Sequence, residues 1–302
     1  MIDVHALPPA HGRLMLRKVG VSGIHKPLSV QRQERVVTLS TEFSVSVDLP
    51  SSRKGSDLSR NAELLAEIVD RTVMRPVSSL EGACAEIAGE LLRRHQYAHD
   101  AEVEAEAEYF LQRGISEDRR SFENFRLIAE ARAERQPDGA ITVTRGIGAE
   151  AVGMTACPCA MEGTRRRLSE EFPALRDPSL KDLPMITHNQ RNRTLLFFEL
   201  HSEAAPEADA LIDAIEHAQS SPTFAILKRG DEAQLVLNAH RHPRFVEDVL
   251  RDLMSSLGDR FPELPDATVV RVQTVSEESI HKYNVVAAHQ ATLGELRAPP
   301  AA

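Results

Sequence analysis

The sequence contains no tryptophan, few aromatic residues and only three cysteines among its 302 residues. Aromatic side chains make up 4% of the chain, so its cores must be built mainly from Leu, Val, Ile and Ala. Three cysteines in a chain of this length cannot form a disulfide framework, which excludes the class of small, disulfide-rich secreted domains. This scarcity favours a protein of the reducing cytoplasm.

The chain also lacks any run of about 18 consecutive apolar residues, the length that a membrane-spanning helix requires. Residues 1–25 contain no apolar stretch of the kind found in a secretory signal. The formal net charge of −9 argues against a general nucleic-acid or membrane-surface binder. We therefore expect a cytoplasmic protein with neither a nucleic-acid nor a membrane partner, in which any anionic substrate meets a local cluster of cations.

Hydrophobic periodicity predicts the order strand-strand-helix-helix-strand-strand, twice along the chain. In the first half, residues 101–109 alternate small or apolar residues with glutamate, a pattern that a strand can hold on two faces and a helix cannot. After the turn at residues 136–139 the same order repeats. We expect Pro206 and Pro243 to be the first residues of two helices, and Gly258 to end the second one.

This element order predicts an α+β protein built from two tandem units, each an antiparallel sheet with two helices on one face. The length also favours two domains. We place the first unit at residues 13–137 and the second at 138–296. Residues 1–12 are expected to be a frayed N-terminus and residues 297–302 a tail, because both are rich in Pro, Ala and Gly.

The residues with the clearest chemical potential are Cys157 and Cys159, which flank Pro158, and His188, which follows about thirty residues later. We expect the two thiols at the end of a strand, pointing to the same side, with Pro158 ending or bending the strand. Such a pair is better suited to a metal site than to a disulfide. The bland alternative is that each of these side chains is a core or surface residue without a ligand.

His240 and His281 are further candidate ligands. One thiolate and two imidazoles leave a fourth position open for water, as in catalytic zinc sites, and Fe(II) or Mn(II) suits the same set if oxygen ligands contribute. Glu278 could anchor a base, orient a ligand or simply be exposed. Lys228 and Arg229 could bind phosphate, as could the arginines at 165–167, although such charge runs are more often solvated surface.

Several sequence blocks together resemble the type IB GTP cyclohydrolase family, in the same order and over nearly the whole chain. The blocks are Met154-Thr-Ala-Cys157-Pro-Cys159-Ala, His188-Asn-Gln-Arg191, Leu227-Lys-Arg229-Gly-Asp231-Glu232, Pro243-Arg-Phe-Val-Glu-Asp248, Glu278-Ser-Ile-His281, Val19-Gly-Val-Ser-Gly, Phe43-Ser-Val-Ser-Val-Asp-Leu-Pro50 and Lys54-Gly-Ser-Asp-Leu-Ser-Arg60. The resemblance implies two tunnelling-fold units in tandem, and a homotetramer (or a dimer) with active sites at subunit interfaces.

The resemblance also implies an activity: hydrolysis of GTP to a 7,8-dihydroneopterin phosphate with release of formate, at the start of a pterin pathway. It implies that Cys157, His188 and His281 bind a divalent metal ion, with Fe2+ favoured and Zn2+ or Mn2+ as alternatives. We add His240 as a fourth ligand and name Cys157, His188 and His240 as catalytic. The candidate substrate-binding residues are Gln190, Arg191, Lys228, Arg229 and Glu278.

The chain departs from the bacterial members of that family at three functional positions. Ser220-Ser-Pro222-Thr stands where those members carry a metal-binding Glu, and His240 stands where they usually have Tyr. Leu237 aligns with the Glu that anchors guanine, so Glu278 is our substitute for that role. The Ser-Ser-Pro segment and His240 resemble the archaeal branch of the methanopterin pathway.

Two alternative functions remain open from the sequence. One is a non-catalytic metal- or purine-binding protein that keeps the fold. The other is a tunnelling-fold reductase of queuosine synthesis, which needs a Cys nucleophile and a Glu-Ser-Lys-Ser-Leu-Lys type of block that this chain lacks.

Overall fold

A computed structural model describes residues 5–9, 14–32, 35–116 and 119–298 of the chain. The strands are β1 (Leu16–Arg32), β2 (Arg35–Leu49), β3 (Asp100–Ser116), β4 (Arg119–Arg135), β5 (Ile141–Ala156), β6 (Asn189–Leu200), β7 (Ser221–Pro222), β8 (Val269–Ser276) and β9 (Val285–Thr292). The helices are α1 (Leu58–Met74), α2 (Leu80–Arg94), α3 (Pro158–Glu171), α4 (Ala208–Ala218), α5 (Arg229–Arg241), α6 (Val246–Arg260) and α7 (Leu293–Arg297). Two short 3-10 turns, Pro173–Arg176 and Pro178–Leu180, follow α3.

The chain forms two compact units that interleave along the sequence. Unit 1 contains residues 1–109, 126–147 and 199–203, and unit 2 contains the rest. These compact units are not the two tandem repeats that we predict at residues 13–137 and 138–296, so the predicted borders stay a prediction. The tip of the β3–β4 hairpin, residues 110–116 and 119–125, belongs to unit 2, and each of the two strands is 17 residues long.

In unit 1 the strand order is β1-β2-β3-β4, followed by the first part of β5. The pairs β1–β2 and β2–β3 are antiparallel, and α1 packs against β1 and α2. Their shared core includes Phe43, Leu65, Ile87 and Leu91, all fully buried. Each such side chain contributes about 1.5–3 kcal/mol by leaving water. The predicted order of two strands, two helices and two strands is confirmed here.

Unit 2 repeats this order with additions. Its strands follow the order β5-β6-β8-β9, and β7 pairs with β5. Helices α4 and α6 pack on each other, and α6 also lies on β8 and β9. Phe198 and Phe261 meet edge to face in this core, with ring centroids 5.0 Å apart. The α+β class with antiparallel strands is therefore confirmed, while α3, α5 and α7 are helices that the sequence analysis did not predict.

Three predicted helix borders are wrong by a few residues. Pro206 precedes the N-cap of α4, which begins at Ala208, and Pro243 lies three residues before α6 begins at Val246. Both prolines end the preceding loop rather than occupy the first helical position. Gly258 does not end α6, which continues to Arg260. The glycine instead leaves room for Arg297, because a Cβ at position 258 would lie 2.9 Å from that side chain.

The N-terminal segment is only partly described. Within residues 5–9, the carbonyl oxygens of His5 and Leu7 accept hydrogen bonds from the backbone N–H of Lys54, at 3.2 and 2.7 Å. These five residues thus lie against the turn after β2 and do not form the frayed end that we expected. The other residues of 1–12, and residues 299–302 of the expected tail, lie outside the described ranges. Of the helices in those ranges, none has the length and apolar character to cross a membrane.

Candidate active site

Cys157 lies at the junction between β5 and α3, where it caps the helix. Strand β5 ends at Ala156, and the Sγ atom of Cys157 accepts the backbone N–H of Ala160 at 3.4 Å. Pro158 is the first residue of α3, a position where its missing N–H costs nothing. The prediction that both thiols end a strand is therefore wrong: Cys157 is half-buried at the helix start, and Cys159 is exposed within the helix.

His188 is held next to Cys157 by backbone hydrogen bonds. The N–H of Cys157 donates to the carbonyl of His188 at 3.1 Å, and the hydroxyl of Thr187 donates to the carbonyl of Cys157 at 2.8 Å. The chain therefore returns, after the segment between α3 and β6, to the residue at which it left β5. The two residues that the sequence singled out are therefore neighbours through their backbones.

Glu278 completes this cluster from the segment after β8. Its Oε2 atom lies 3.7 Å from Nδ1 of His188, and the hydroxyl of Ser279 lies 3.5 Å from the same nitrogen. The Glu278 side chain is only 8% exposed, and Oε2 has no hydrogen-bond partner among the described residues. A buried carboxylate oxygen without a partner is costly, so this atom is suited to meet a ligand.

Gln190 is buried and linked to the sheet. Its side-chain N–H groups donate to the hydroxyls of Thr155 and Ser276, at 3.1 and 3.4 Å. Within the described part of the chain its Oε1 atom has no partner. The sequence analysis missed Thr155 and Ser276, because isolated hydroxyl residues in strands carry no motif. The sequence feature that could have identified Thr155 and Ser276 is their alternation with apolar residues in a strand.

Arg191 is exposed, but its backbone ties the site together. The carbonyl of Arg191 accepts the N–H of Glu277 at 2.8 Å, which fixes the segment that leads to Glu278. Both Gln190 and Arg191 lie in β6, which begins at Asn189.

Within the described ranges, no hydrogen bond or ion pair joins His240 or His281 to Cys157, His188 or Glu278. His240 is half-buried on α5, where its Nδ1 lies 2.8 Å from the carbonyl of Val236. His281 is exposed between β8 and β9 and stacks on Tyr283, with centroids 5.0 Å apart. In the described ranges no three His, Cys, Asp or Glu side chains are grouped so that they could hold a metal ion. The described residues place Cys157 beside His188 through the backbone and Glu278 beside the ring of His188, and the full ligand set stays a prediction.

Lys228 and Arg229 lie at the start of α5, and both are exposed. The backbone N–H of Lys228 donates to Asp231 at 3.0 Å, which fixes the first turn of the helix. In the arginine run on α3, Arg166 and Arg167 are exposed, while Arg165 has contacts within the chain. The Arg165 guanidinium donates to the carbonyls of Leu180 and Leu183, so this residue holds the segment after α3 in place.

Known sequence relatives match nearly the whole chain. A family model described as type I GTP cyclohydrolase folE2 matches residues 1–287. The GTP cyclohydrolase MptA of Methanococcoides burtonii is 40% identical over 293 residues, covering 93% of this chain and 92% of that protein. The GTP cyclohydrolase MptA of Methanosarcina barkeri is 39% identical over 309 residues, covering 98% and 95%.

Among solved structures, the uricase from Arthrobacter globiformis is similar with a TM-score of 0.53, over 94% of both chains. At 7% sequence identity this similarity shows the fold alone, and it identifies the architecture as a tunnelling fold. The sequence relatives carry the family assignment independently of that structure. This chain belongs to the type I GTP cyclohydrolase family.

Proposed function

We propose that this chain is a metal-dependent GTP cyclohydrolase of type IB, which converts GTP to a 7,8-dihydroneopterin phosphate and releases formate. Its family and the named activity of its relatives support this function. The structural observation that carries the proposal is that Glu278 lies beside His188, whose backbone is bonded to Cys157, and that its buried Oε2 has no hydrogen-bond partner among the described residues.

These residues fit a divalent metal ion in their chemistry. A thiolate and an imidazole are ligands of Fe2+ and Zn2+, and a carboxylate suits Mn2+ as well. Cys157 and His188 would hold the ion, with His281 and His240 as further ligands. When bound, such an ion supplies Lewis-acid activation of water for attack on C8 of guanine. Because one described chain does not group three ligands, we propose that the site is completed when subunits assemble.

The protein residues around this centre have separable tasks. Glu278 and Ser279 both face Nδ1 of His188, so Nε2 is the nitrogen left for a ligand or for proton transfer. The carboxylate of Glu278 can also accept N–H groups from guanine, because its Oε2 has no partner among the described residues. The exposed cations Arg191, Lys228 and Arg229 would bind the triphosphate. Gln190 uses its N–H groups within the sheet, so only its Oε1 is left for substrate.

We propose a homotetramer as the working form. Strand β9 lies at one end of the strand order and contains no charged Asp, Glu, Lys or Arg between Val285 and Thr292. Edge strands of monomers usually carry charges that prevent pairing with another sheet. An uncharged edge is suited to pairing with a second copy, and analytical ultracentrifugation would measure the resulting mass. A protein that stays monomeric at micromolar concentration would contradict this part of the proposal.

The catalytic proposal is tested by giving purified protein GTP with Fe2+, Mn2+ or Zn2+ and measuring pterin fluorescence. Mass spectrometry of the product then separates the triphosphate from the 2′,3′-cyclic phosphate. Absence of a pterin with every metal would refute the activity.

Two thiol variants test the metal centre separately from turnover. Cys157→Ala should reduce bound metal, measured after dialysis, to below about a tenth of the wild-type content, because a thiolate ligand is lost. Cys159→Ala is the matched control, since its thiol is exposed two residues away. Equal metal loss in both variants would contradict the role of Cys157.

A further inference from the structure

The tip of the β3–β4 hairpin is docked on the loop that carries two of the proposed phosphate-binding cations. We call residues 110–116 and 119–125 the hairpin tip, and residues 223–229 the cationic loop. Both belong to unit 2. The Glu123 carboxylate accepts the backbone N–H of Ala225 through both oxygens, at 2.9 and 3.0 Å. A side chain from the first half of the sequence thus fixes the middle of this loop.

A second contact fixes the end of the cationic loop. Arg119 forms an ion pair with Asp231, and the other carboxylate oxygen of Asp231 accepts the N–H of Lys228 at 3.0 Å. Asp231 is 7% exposed. The Lys228 N–H, followed by the Arg119 guanidinium, holds the pKa of Asp231 below its ordinary value. Asp231 therefore stays ionised and links the hairpin tip to the backbone at Lys228.

The base of the hairpin tip is held as well. Arg113 donates to Glu216 on α4 at 3.1 Å and also pairs with Asp213 on the same helix. Burial raises the pKa of Glu216, and the neighbouring Arg113 opposes that rise. Contacts on α4 and on the cationic loop thus give the tip one defined position in unit 2.

We infer that Arg119 and Glu123 are positioning residues for the triphosphate, because they set the backbone from which Lys228 and Arg229 extend. This inference rests on the proposed function. Residues 223–228 of the cationic loop have no regular secondary structure, so the conformation of the loop depends on such contacts. Ordering a loop before the ligand arrives removes part of the entropic cost of binding. Neither residue needs to touch GTP for this effect.

The test compares Arg119→Gln and Glu123→Ala with wild type in steady-state kinetics. We expect KM for GTP to rise about tenfold in each variant while kcat stays within about twofold, because ground-state binding of the phosphates is weakened. Arg119→Lys should restore part of the affinity, since it keeps the charge opposite Asp231. Arg120→Gln is the matched control: it removes the same charge from the exposed neighbouring residue and should leave KM unchanged.

Hydrogen exchange measured without GTP supplies a readout that does not depend on turnover. Exchange at Ala225 and Lys228 should be faster in Glu123→Ala and Arg119→Gln than in wild type and in Arg120→Gln. Faster exchange with an unchanged KM would overturn the inference and leave the hairpin contact purely structural. An equal rise of KM in Arg120→Gln would also overturn it, because it would indicate a long-range charge effect.

If wild type binds GTP without converting it, the proposed function fails while the inference is still tested. The dissociation constant of GTP, measured by isothermal titration for the same variants, then replaces KM. Equal dissociation constants in wild type, Arg119→Gln and Glu123→Ala would refute the positioning role.

Discussion

Asn192 is the centre of a buried polar network in unit 2, and its replacement gives a prediction with a definite size. The residue is fully buried, and its Nδ2 lies 3.1, 3.0 and 2.7 Å from oxygens of Thr194, Gln219 and Thr274. An amide nitrogen has two hydrogens, so at most two of these three bonds form at once. The two threonine hydroxyls also bond to each other at 2.8 Å.

Asn192→Ala therefore leaves mainly one acceptor, Oε1 of Gln219, without a donor. An unpaired buried acceptor costs about 1–3 kcal/mol, and removal of Asn192 Oδ1, which has no hydrogen-bond partner among the described residues, offsets part of this cost. We expect the free energy of unfolding to fall by about 1–3 kcal/mol, measured by urea denaturation followed by far-UV circular dichroism. The reason is desolvation, so the loss should not depend on salt.

Asn238→Ala is the matched control. Asn238 lies on α5, where its side chain accepts a solvent-exposed hydrogen bond from Gln234 at 2.7 Å. Surface substitutions of this kind usually change stability by less than about 0.5 kcal/mol. A loss below about 0.5 kcal/mol for Asn192→Ala, equal to the control, would show that the buried network adds no stability and would refute the reasoning.

Three further predictions concern other parts of the fold. Burial lowers the pKa of His95, so the folded state binds a proton at this imidazole less tightly than the unfolded state does. Stability should therefore fall as the pH drops below about 6.5. In His95→Gln the melting temperature should depend less on pH between about pH 7 and pH 5. Gly148→Ala places a Cβ 2.8 Å from the carbonyl oxygen of Leu196, so unfolding in urea should show a loss of about 1–3 kcal/mol, and an unchanged midpoint would contradict the close approach. Arg297→Ala removes a hydrogen bond of 3.0 Å to the carbonyl of Leu264, so we expect the free energy of unfolding in urea to fall by about 1–2 kcal/mol. An unchanged free energy of unfolding would show that this contact of α7 adds no stability.

The sequence predicted the strands best where polar and apolar residues alternate strictly. Ala101, Val103 and Ala105 are buried and Glu104 and Glu106 are exposed, as the pattern requires. Helix α5 was not predicted, because few of its side chains are buried. Apart from Asp231, only Leu235 and Ala239 are buried on it, so no apolar face marks it in the sequence. Local patterns report burial, and an element that buries little leaves no pattern.

The candidate site was predictable in its residue types but not in its geometry. The sequence identified Cys157 and His188, and backbone hydrogen bonds bring them together. Proline between two cysteines was read as the end of a strand, although at a strand-to-helix junction it also begins a helix. The contact between Glu278 and His188 joins residues 90 positions apart, and no local signal encodes such a distance.

The interleaving of the two compact units has a consequence for any attempt to divide this protein. Residues 110–125 precede the turn at 136–139 in sequence, yet they belong to the unit that contains Cys157 and His188. A fragment starting after that turn would lose Arg113, with its contacts to Glu216 and Asp213 on α4. The order of elements repeats after this turn, but the fold of the second half includes residues from the first half of the sequence. We expect the two halves to be soluble only when they are co-expressed.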